Sequence, residues 1–574
     1  MTGDDLVLLA RSAVHLQPGQ VAHRARLQAQ RTALRRWPQA GRRLLAGPGP
    51  DPAAATGWPA DFVPVDSRAS LGWPGLAALA SGRIELLGMT RELGEPPDWQ
   101  QAGAPQLWRF HLHYWDWAWG LAADPDRGAA RTAFARLWRS WQGAAELGSG
   151  DAWLPYPAAL RAWSWCGLHA DLVAGSDLEP VFVRELAVHA GFLRRHLESD
   201  VGGNHLVKDL KALAGLAVFF ADSELLRRVL RRLRRQLAVQ VLPDGGHYER
   251  APAYHCQVLA DLIDVADLVT ANGGEPAPEI TLAIVRMRRW LGGVLSPDGR
   301  VPLLNDGYPV PRALVAALRP GPAADQPLLA LRGSGLVLAT AGGWHLLADV
   351  GAPCPDELPA HAHADTLGFV LHVDGTPLLV DTGTSTYAAG PARDYERSTA
   401  AHNTVGVDGA DSTEVWGAFR AARRARVSGF AAFTSAGGVS VQAAHDGFRR
   451  LPGRPCHQRN WLLTAGGLQI DDLVSGKGRH AVLIYWHLAP GSTMLLEQRS
   501  AIIATPAGSF RVCVTAADPA TLAVESRPVA VGFRQRTDAL VLTCRIDAEL
   551  PVRVSTGWRR ASRCDDAMHA MEAA

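Results

Sequence analysis

Leu336-Val-Leu-Ala-Thr-Ala-Gly-Gly-Trp344-His-Leu-Leu-Ala-Asp349 is where the pattern of this chain changes. Two short apolar runs flank a Gly-Gly pair, each too short for a buried helix and bounded as strands are. Similar runs follow at Gly368-Phe-Val-Leu-His-Val373 and Pro377-Leu-Leu-Val-Asp381, then at 437–443, 459–464, 480–487, 501–504, 510–515 and 538–546. Many short strands punctuated by Gly, Pro and Asp predict an antiparallel β-sandwich over residues 323–562.

Upstream of this change the period is helical. Apolar residues recur every three to four positions at 130–145, 158–172, 179–197, 205–221, 223–242, 253–271 and 280–296, with Gly, Pro and Asp between them. Such a series predicts an all-α domain over 61–322, as a bundle, a solenoid or an α/α toroid; no repeat period selects the solenoid. Residues 1–45 read as one or two basic amphipathic helices, with Arg24, Arg26, Arg31, Arg35 and Arg36 around Leu27 and Leu34. Such a charge run reads as a solvated face. Residues 46–60 form a linker rich in Pro, Gly, Ala and Asp, and 563–574 a tail.

A chain of 574 residues exceeds one ordinary core, consistent with two or three domains. Its 47% hydrophobic and 20% charged residues are those of a globular protein. Basic and acidic residues stand at 58 against 56, which leaves no electrostatic footprint for nucleic acid. Seven cysteines without a C-x-x-C pair argue against a disulfide framework or a cysteine zinc site. The start, Met1-Thr-Gly-Asp-Asp-Leu-Val-Leu-Leu-Ala-Arg11, carries acids where a signal peptide needs basic residues. No run reaches the roughly 18 apolar residues of a membrane span. The sequence alone therefore predicts a cytoplasmic location.

Four groups of residues carry chemistry. Trp108, His111, His113, Tyr114, Trp115, Trp117 and Trp119 form the densest aromatic patch, with Trp153, Tyr156, Arg161, Trp163 and Trp165 following. Aromatic faces pack cores and equally stack on sugar rings. Gly202-Gly-Asn204-His205 opens an apolar helix, with Asn204 either an N-cap or a donor toward an anionic ligand. Asp244-Gly-Gly-His247-Tyr248-Glu249-Arg250 leads to Tyr254-His255 at another helix start, and Leu304-Asn305-Asp306-Gly307 reads as a turn. Finally, His361-x-His363, Asp381 and Arg397-Ser-Thr-Ala-Ala-His402-Asn403-Thr404 lie between strands. His363, Asp381 and His402 suit a metal triad or a hydrogen-bonded histidine cluster.

In this order, these motifs resemble those of heparinase II/III-like polysaccharide lyases, over roughly residues 100–490. The Leu107–Asp116 and Trp153–Trp163 stretches look like the bacterial branch associated with exopolysaccharide genes. The resemblance implies an α/α toroid followed by an antiparallel β-sandwich, with a cleft between them and a cell-envelope or periplasmic setting. It implies β-elimination at a uronic acid of an acidic polysaccharide. Asn204 is matched to the neutraliser of the uronate carboxylate, with His205 beside it. Tyr254 is matched to the general acid, alone or as the base too, and His361 to a second base or polariser. Trp108, His113, Tyr114, Trp153, Arg161, Tyr248, Glu249, Arg250, His255 and Arg397 are expected to bind substrate. Arg250, His255 and Arg397 are also candidates for the cation that a tyrosine base needs. His363, Asp381 and His402 are matched to a structural zinc site. Lys208 stands where certain members carry glutamate, unlike those acting on heparin-like substrates. Two other readings remain: a glycoside hydrolase, for which Glu249 and Asp306 are the candidate acids, and a non-catalytic glycan-binding or assembly protein.

Overall fold

The computed structural model describes residues 3–37, 44–68, 72–323 and 325–562; the expected tail lies outside them. The helices Arg127–Ala144, Pro155–Leu172, Glu179–His196, Gly203–Phe219, Ser223–Gln240, Pro252–Ala271 and Pro278–Val294 follow one another, close to the spans that periodicity predicts. They alternate in character. Pro155–Leu172, Gly203–Phe219 and Pro252–Ala271 are buried on nearly every side and pack against one another. Ser223–Gln240 buries one stripe, Leu225, Val229, Leu233 and Leu237, and turns its arginines outward. An inner ring without a polar face and an outer ring with one is how a helical chain closes into an α/α toroid.

Two lysines sit inside this inner ring. Lys208 Nζ lies 2.7 Å from Asp261, and Lys211 Nζ lies 2.9 Å from Asp261 and 2.6 Å from Asp264. Each buried charge thus has an opposite partner, the condition on which such groups are tolerated inside a core.

The second half is a β-sandwich whose three larger antiparallel sheets have five, eight and four strands, beside a two-stranded pair of Val415–Trp416 and Arg420–Ala421. The five-stranded sheet begins with Leu328–Leu331, Leu336–Ala341 and Trp344–Asp349. Gly342 and Gly343, at φ 54° and 86°, make the two-residue turn that pairs Ala341 with Trp344. The four-stranded sheet ends in a long hairpin, Ala520–Gly532 and Gln535–Glu549. All three sheets feed one apolar cluster that includes Trp344, Trp461, Trp486 and Trp558.

Several features were not expected. Arg83–Leu86 and Met89–Glu92 form a small hairpin ahead of the toroid. The N-terminal helices, Gly3–Ala13 and Pro18–Arg36, strap both halves together. Arg11 pairs with Glu414 at 3.0 Å, and Gln20 Nε2 donates to Asp200 O at 2.9 Å and Glu357 O at 3.4 Å. Arg459, fully buried, donates to Asp472 at 2.7 and 3.1 Å and to the carbonyls of Leu367 and Asn403 at 2.8 and 2.6 Å. Replacing Arg459 with Leu strands the Asp472 charge and two carbonyls. The expected cost is about 3–5 kcal/mol, read as a lower midpoint in urea unfolding; an unchanged midpoint refutes this assignment.

Candidate active site

The site is built around two buried carboxylates, both carried by loops of the helical half. Glu249 follows the Asp244-Gly-Gly turn and faces the start of the Gly203–Phe219 helix. There it accepts from the Asn204 backbone N at 2.7 Å and from Asn204 Nδ2 at 2.9 Å. The helix therefore begins two residues earlier than an Asn204 cap would require: Gly202 occupies the cap position. Asn204 is free to point inward, and its Oδ1 has no hydrogen-bond partner. Gly203, at φ 54°, must lack a side chain, since a Cβ would stand 1.9 Å from Glu249 Oε1.

Asp306 is the second carboxylate. The segment that reads as a plain turn, Asn305-Asp306-Gly307, plugs into the β half. Asp306 accepts from His361 Nδ1 and His363 Nε2, both at 2.9 Å, from Arg393 through Nη1 and through Nη2 at 2.9 Å, and from Thr384 Oγ1 at 3.3 Å. Asn305 holds the same junction, receiving the His363 N–H at 3.0 Å and donating to Arg250 O at 3.1 Å.

His361 lies between the two acids, with Nε2 3.2 Å from Glu249 Oε2. Both ring nitrogens therefore face groups that only accept, which fixes an imidazolium. Burial opposes this charge, but Asp306 and Glu249 outweigh it and hold the His361 pKa up at about 9. Conversely, burial pushes both carboxyls upward and is overcome. Hydrogen bonding and charge from His361, with His247 and the Asn204 N–H, hold Glu249 down at about 2. Arg393, His361 and His363 hold Asp306 well below the usual carboxylate range.

Tyr254, on the first turn of the Pro252–Ala271 helix, stacks on His361 with ring centroids 3.8 Å apart. Its hydroxyl shares a 2.8 Å hydrogen bond with Tyr387. Burial first, then Tyr387, Asp306 and Tyr308, raise its pKa well above that of an ordinary phenol. It is a protonated acid, not a ready base. His205, one residue past Asn204, is partly exposed; its Nδ1 lies 3.1 Å from Glu198 and its ring 4.3 Å from Tyr156. The Glu198 carboxylate can only accept, so His205 Nδ1 is the donor of that bond.

Asn204 and His361 thus meet through Glu249, Tyr254 joins them by its ring contact with His361, and Tyr114 lies 5.9 Å from Tyr156. Other expected contacts lie elsewhere. Trp108, His113, Trp153 and Arg161 are buried in the toroid core. Arg161 donates to His189 at 3.0 Å and to His113 O at 3.1 Å, under Trp141 at 4.4 Å and Trp153 at 5.3 Å. This tryptophan packing follows the core reading of the aromatic patch. Tyr248 is buried beside His247. None of the three expected cations adjoins the Tyr254 hydroxyl. Arg250 donates to Ser334 O at 2.8 Å. His255, lowered to about 3 by burial, faces Met287 O. Arg397 donates to the carbonyls of Ala362, Gly417 and Arg420. Their hydrogen-bonding geometry holds loops. The cations beside the tyrosines are His361 and Arg393, the latter 5.2 Å from the Tyr387 ring. Tyr387 and Arg393 went unnoticed because they lie in a loop and a short helix without a motif; an Arg four residues before Arg397 was the available signal.

Of the expected metal ligands, His402 Nδ1 binds Asp381 Oδ2 at 2.8 Å, and the His363 and His402 rings stand 5.3 Å apart. His363 Nδ1, His402 Nε2 and both oxygens of neighbouring Asp365 are buried without a partner. The donor chemistry suits zinc. As arranged, however, no three His, Cys, Asp or Glu side chains among the described residues are disposed to hold a metal ion.

Comparison with known proteins agrees with this architecture. Residues 167–319 match the model described as heparinase II/III N-terminus, and residues 323–556 the model described as heparinase II/III-like, C-terminal. The chain is 28% identical over 466 residues to FtsZ-localized protein C of Caulobacter vibrioides (strain NA1000 / CB15N), covering 79% of this chain and 78% of that one. Among solved structures it resembles heparinase III, with a TM-score of 0.73, 15% identity and coverage of 88% and 86%. It also resembles a mutant of the heparan sulfate lyase HepC from Pedobacter heparinus, with a TM-score of 0.62, 17% identity and coverage of 95% and 89%. At these identities the structural likeness is one of fold. No helix among the described residues is long and apolar enough to cross a membrane.

The sign of the His361 shift makes the site sensitive to alkali. A raised histidine pKa stabilises fully below the unfolded value of about 6.5 and is lost as pH rises through about 9. Thermal midpoints are expected to fall across this window in the native chain and to fall less steeply in His361→Gln. Parallel slopes overturn the assignment of the proton.

Proposed function

Because this chain belongs to the heparinase II/III-like family, we propose that it is a polysaccharide lyase that cleaves a uronic-acid-containing glycan by β-elimination. The observation that carries the reading is the junction Asn204–Glu249–His361–Tyr254, which couples an amide, an imidazolium and a phenol at one cleft. The demanding step is removal of the weakly acidic proton next to the uronate carboxylate. Neutralising that carboxylate stabilises the enolate that forms. The second N–H of the Asn204 amide is the donor for this purpose, since Glu249 takes only one.

In this reading His205 Nε2 abstracts the proton, with Glu198 fixing the ring. Tyr254 then protonates the departing glycosidic oxygen, for which a phenol that stays protonated is suited. His361, with both nitrogens on carboxylates, acts as polariser: its charge lies against the Tyr254 ring and stabilises the phenolate left behind. The buried charges nearly balance, with Glu249 and Asp306 against His361 and Arg393, so the substrate brings the one uncompensated anion.

A second reading is a protein that binds an acidic glycan without turning it over. Where Tyr254 is the donor of its bond to Tyr387, its proton is engaged there and not offered to a substrate, which favours this reading. A structural zinc at His363, Asp381 and His402 is a further proposal, supported by the donor types and the unpartnered nitrogens. It would tie the loops of the β half, and no step runs through it. Metal analysis of the purified protein is expected to give about one zinc per chain, lost in His402→Ala; protein that takes up none when zinc is supplied refutes the site.

The lyase reading is checked by product chemistry. Incubation with a panel of uronate polysaccharides is expected to release unsaturated uronate, followed by its ultraviolet absorbance. Tyr254→Phe is expected to lower kcat by about 10²–10⁴-fold. Binding of an acidic glycan without absorbance from any polymer selects the second reading.

A further inference from the structure

The loop that presents Glu198 to His205 connects the Glu179–His196 and Gly203–Phe219 helices, and three separate elements fasten it. The first is the Gly203–Phe219 helix itself, where Asp209 Oδ2 accepts the Glu198 N–H at 2.7 Å. Asp209 stands four residues after His205, so the two share one face of that helix. Glu198 is therefore gripped at both ends by a single helix, its main chain by Asp209 and its carboxylate by His205 Nδ1 at 3.1 Å. The second is the Ser223–Gln240 helix, from which Arg232 Nη2 donates to Ser199 Oγ at 2.6 Å. The third is the N-terminal helix Pro18–Arg36, which closes on Asp200. Gln20 Nε2 donates to Asp200 O at 2.9 Å, and His23 Nε2 and Arg24 Nε each stand 3.6 Å from the Asp200 carboxylate.

We propose that Asp209 and Gln20 are positioning residues for His205, and that the N-terminal helix, by closing on Asp200, keeps Glu198 seated against the imidazole. The inference rests on the reading of His205 as the base. An imidazole accepts a proton only through a nitrogen that carries none, and the hydrogen bond at one nitrogen decides which of the two that is. Glu198 can only accept, so while it is seated the proton stays on Nδ1 and Nε2 is open for the abstraction. A loop displaced by about 1 Å releases that hold, and part of the population then carries its proton on the nitrogen that must be empty. Asp209 fits this duty. It is fully buried, its Oδ1 has no hydrogen-bond partner, and among the described residues the bond to the Glu198 N–H is the one its side chain makes. Burial first, then the Glu198 charge, hold its carboxyl well above the usual carboxylate range. Such a group is destabilising in a core, whereas its bond to Glu198 bears directly on the base.

The test is nitrogen–proton correlation NMR on the full chain labelled with ¹⁵N-histidine, with His205→Gln locating the His205 signals. The native ring is expected to carry its proton on Nδ1. The double variant Gln20→Ala/Arg24→Ala loosens the strap without touching the cleft, and is expected to move His205 toward the Nε2–H tautomer. On a polymer that the native chain cleaves, it is expected to lower kcat about 10–100-fold at unchanged KM, since Asn204 and Tyr254 keep their places. Asp209→Ala is expected to act likewise, and Asp209→Asn, whose amide oxygen still accepts the Glu198 N–H, to restore the native tautomer. Should Asp209→Ala fail to fold, the strap variant decides. A native ring that is not protonated on Nδ1, a folded strap variant in which the proton stays on Nδ1, or a variant that raises KM at native kcat overturns the proposal. The tautomer is read without substrate, so the two readings fail separately. A shifted tautomer in a chain that eliminates from no polymer leaves the coupling and removes the lyase. Elimination at native kcat in the folded strap variant leaves the lyase and removes the coupling.

Discussion

The buried carboxylate of Asp306 is the group on which the arrangement of the two halves depends. It leaves the helical half on a turn and enters the β half, where two histidines, an arginine and a threonine donate to it. A carboxylate in such surroundings is costly unless every lone pair is answered. The answer comes from segments far apart in sequence, His361-x-His363, Thr384 and Arg393, so the same bonds that satisfy Asp306 also set the loops. Glu249 does the equivalent work from the other side, gripping the Asn204 helix start and sharing His361. A chain of alternating charge, Glu249, His361, Asp306 and Arg393, therefore runs across the seam, and Tyr254 lies on its one aromatic member.

Much of this was legible in the sequence, for definite reasons. Inner and outer helices declare themselves by periodicity, since Ser223–Gln240 can bury only its leucine and valine stripe. The Gly342-Gly343 pair marks a hairpin because two successive positive φ angles suit glycine. Asn204 and Tyr254 stood out because each lies at a helix start beside other polar residues, and His361 because it opens an H-x-H loop. What was not legible is pairing at long range. No local pattern says that Asn305-Asp306 is more than a turn, because its partners lie more than fifty residues on. The aromatic patch misled in the other direction. Tryptophans that close a toroid core and tryptophans that stack on sugars have the same spacing, and only burial assigns Trp108 and Trp153 to the core. The long Ala520–Gly532 strand escaped notice because its exposed face breaks the apolar pattern.

Arg161 illustrates how a residue that looks functional can be architectural. A guanidinium flanked by tryptophans suggests a carbohydrate clamp, yet here it fills the core between Trp141, Trp153 and Trp165. Burial lowers its pKa to about 9, and the aromatic faces supply the attraction that a carboxylate would otherwise give. The chain thus uses arginine in two ways. Arg161 and Arg397 hold carbonyls and rings in place, whereas Arg393 balances the charge beside the tyrosines.

The N-terminal strap alters how the cleft can open. The covalent crossing near residues 319–327 and the Asp306 and Glu249 junctions already join toroid and sandwich along the seam. Arg11 on Glu414 and Gln20 on Asp200 and Glu357 add a second attachment at a distance from the first. Two halves fastened at separated points form a frame rather than a hinge. The position of His361 in the β half relative to Asn204 and Tyr254, both carried by the toroid, is then kept by the frame.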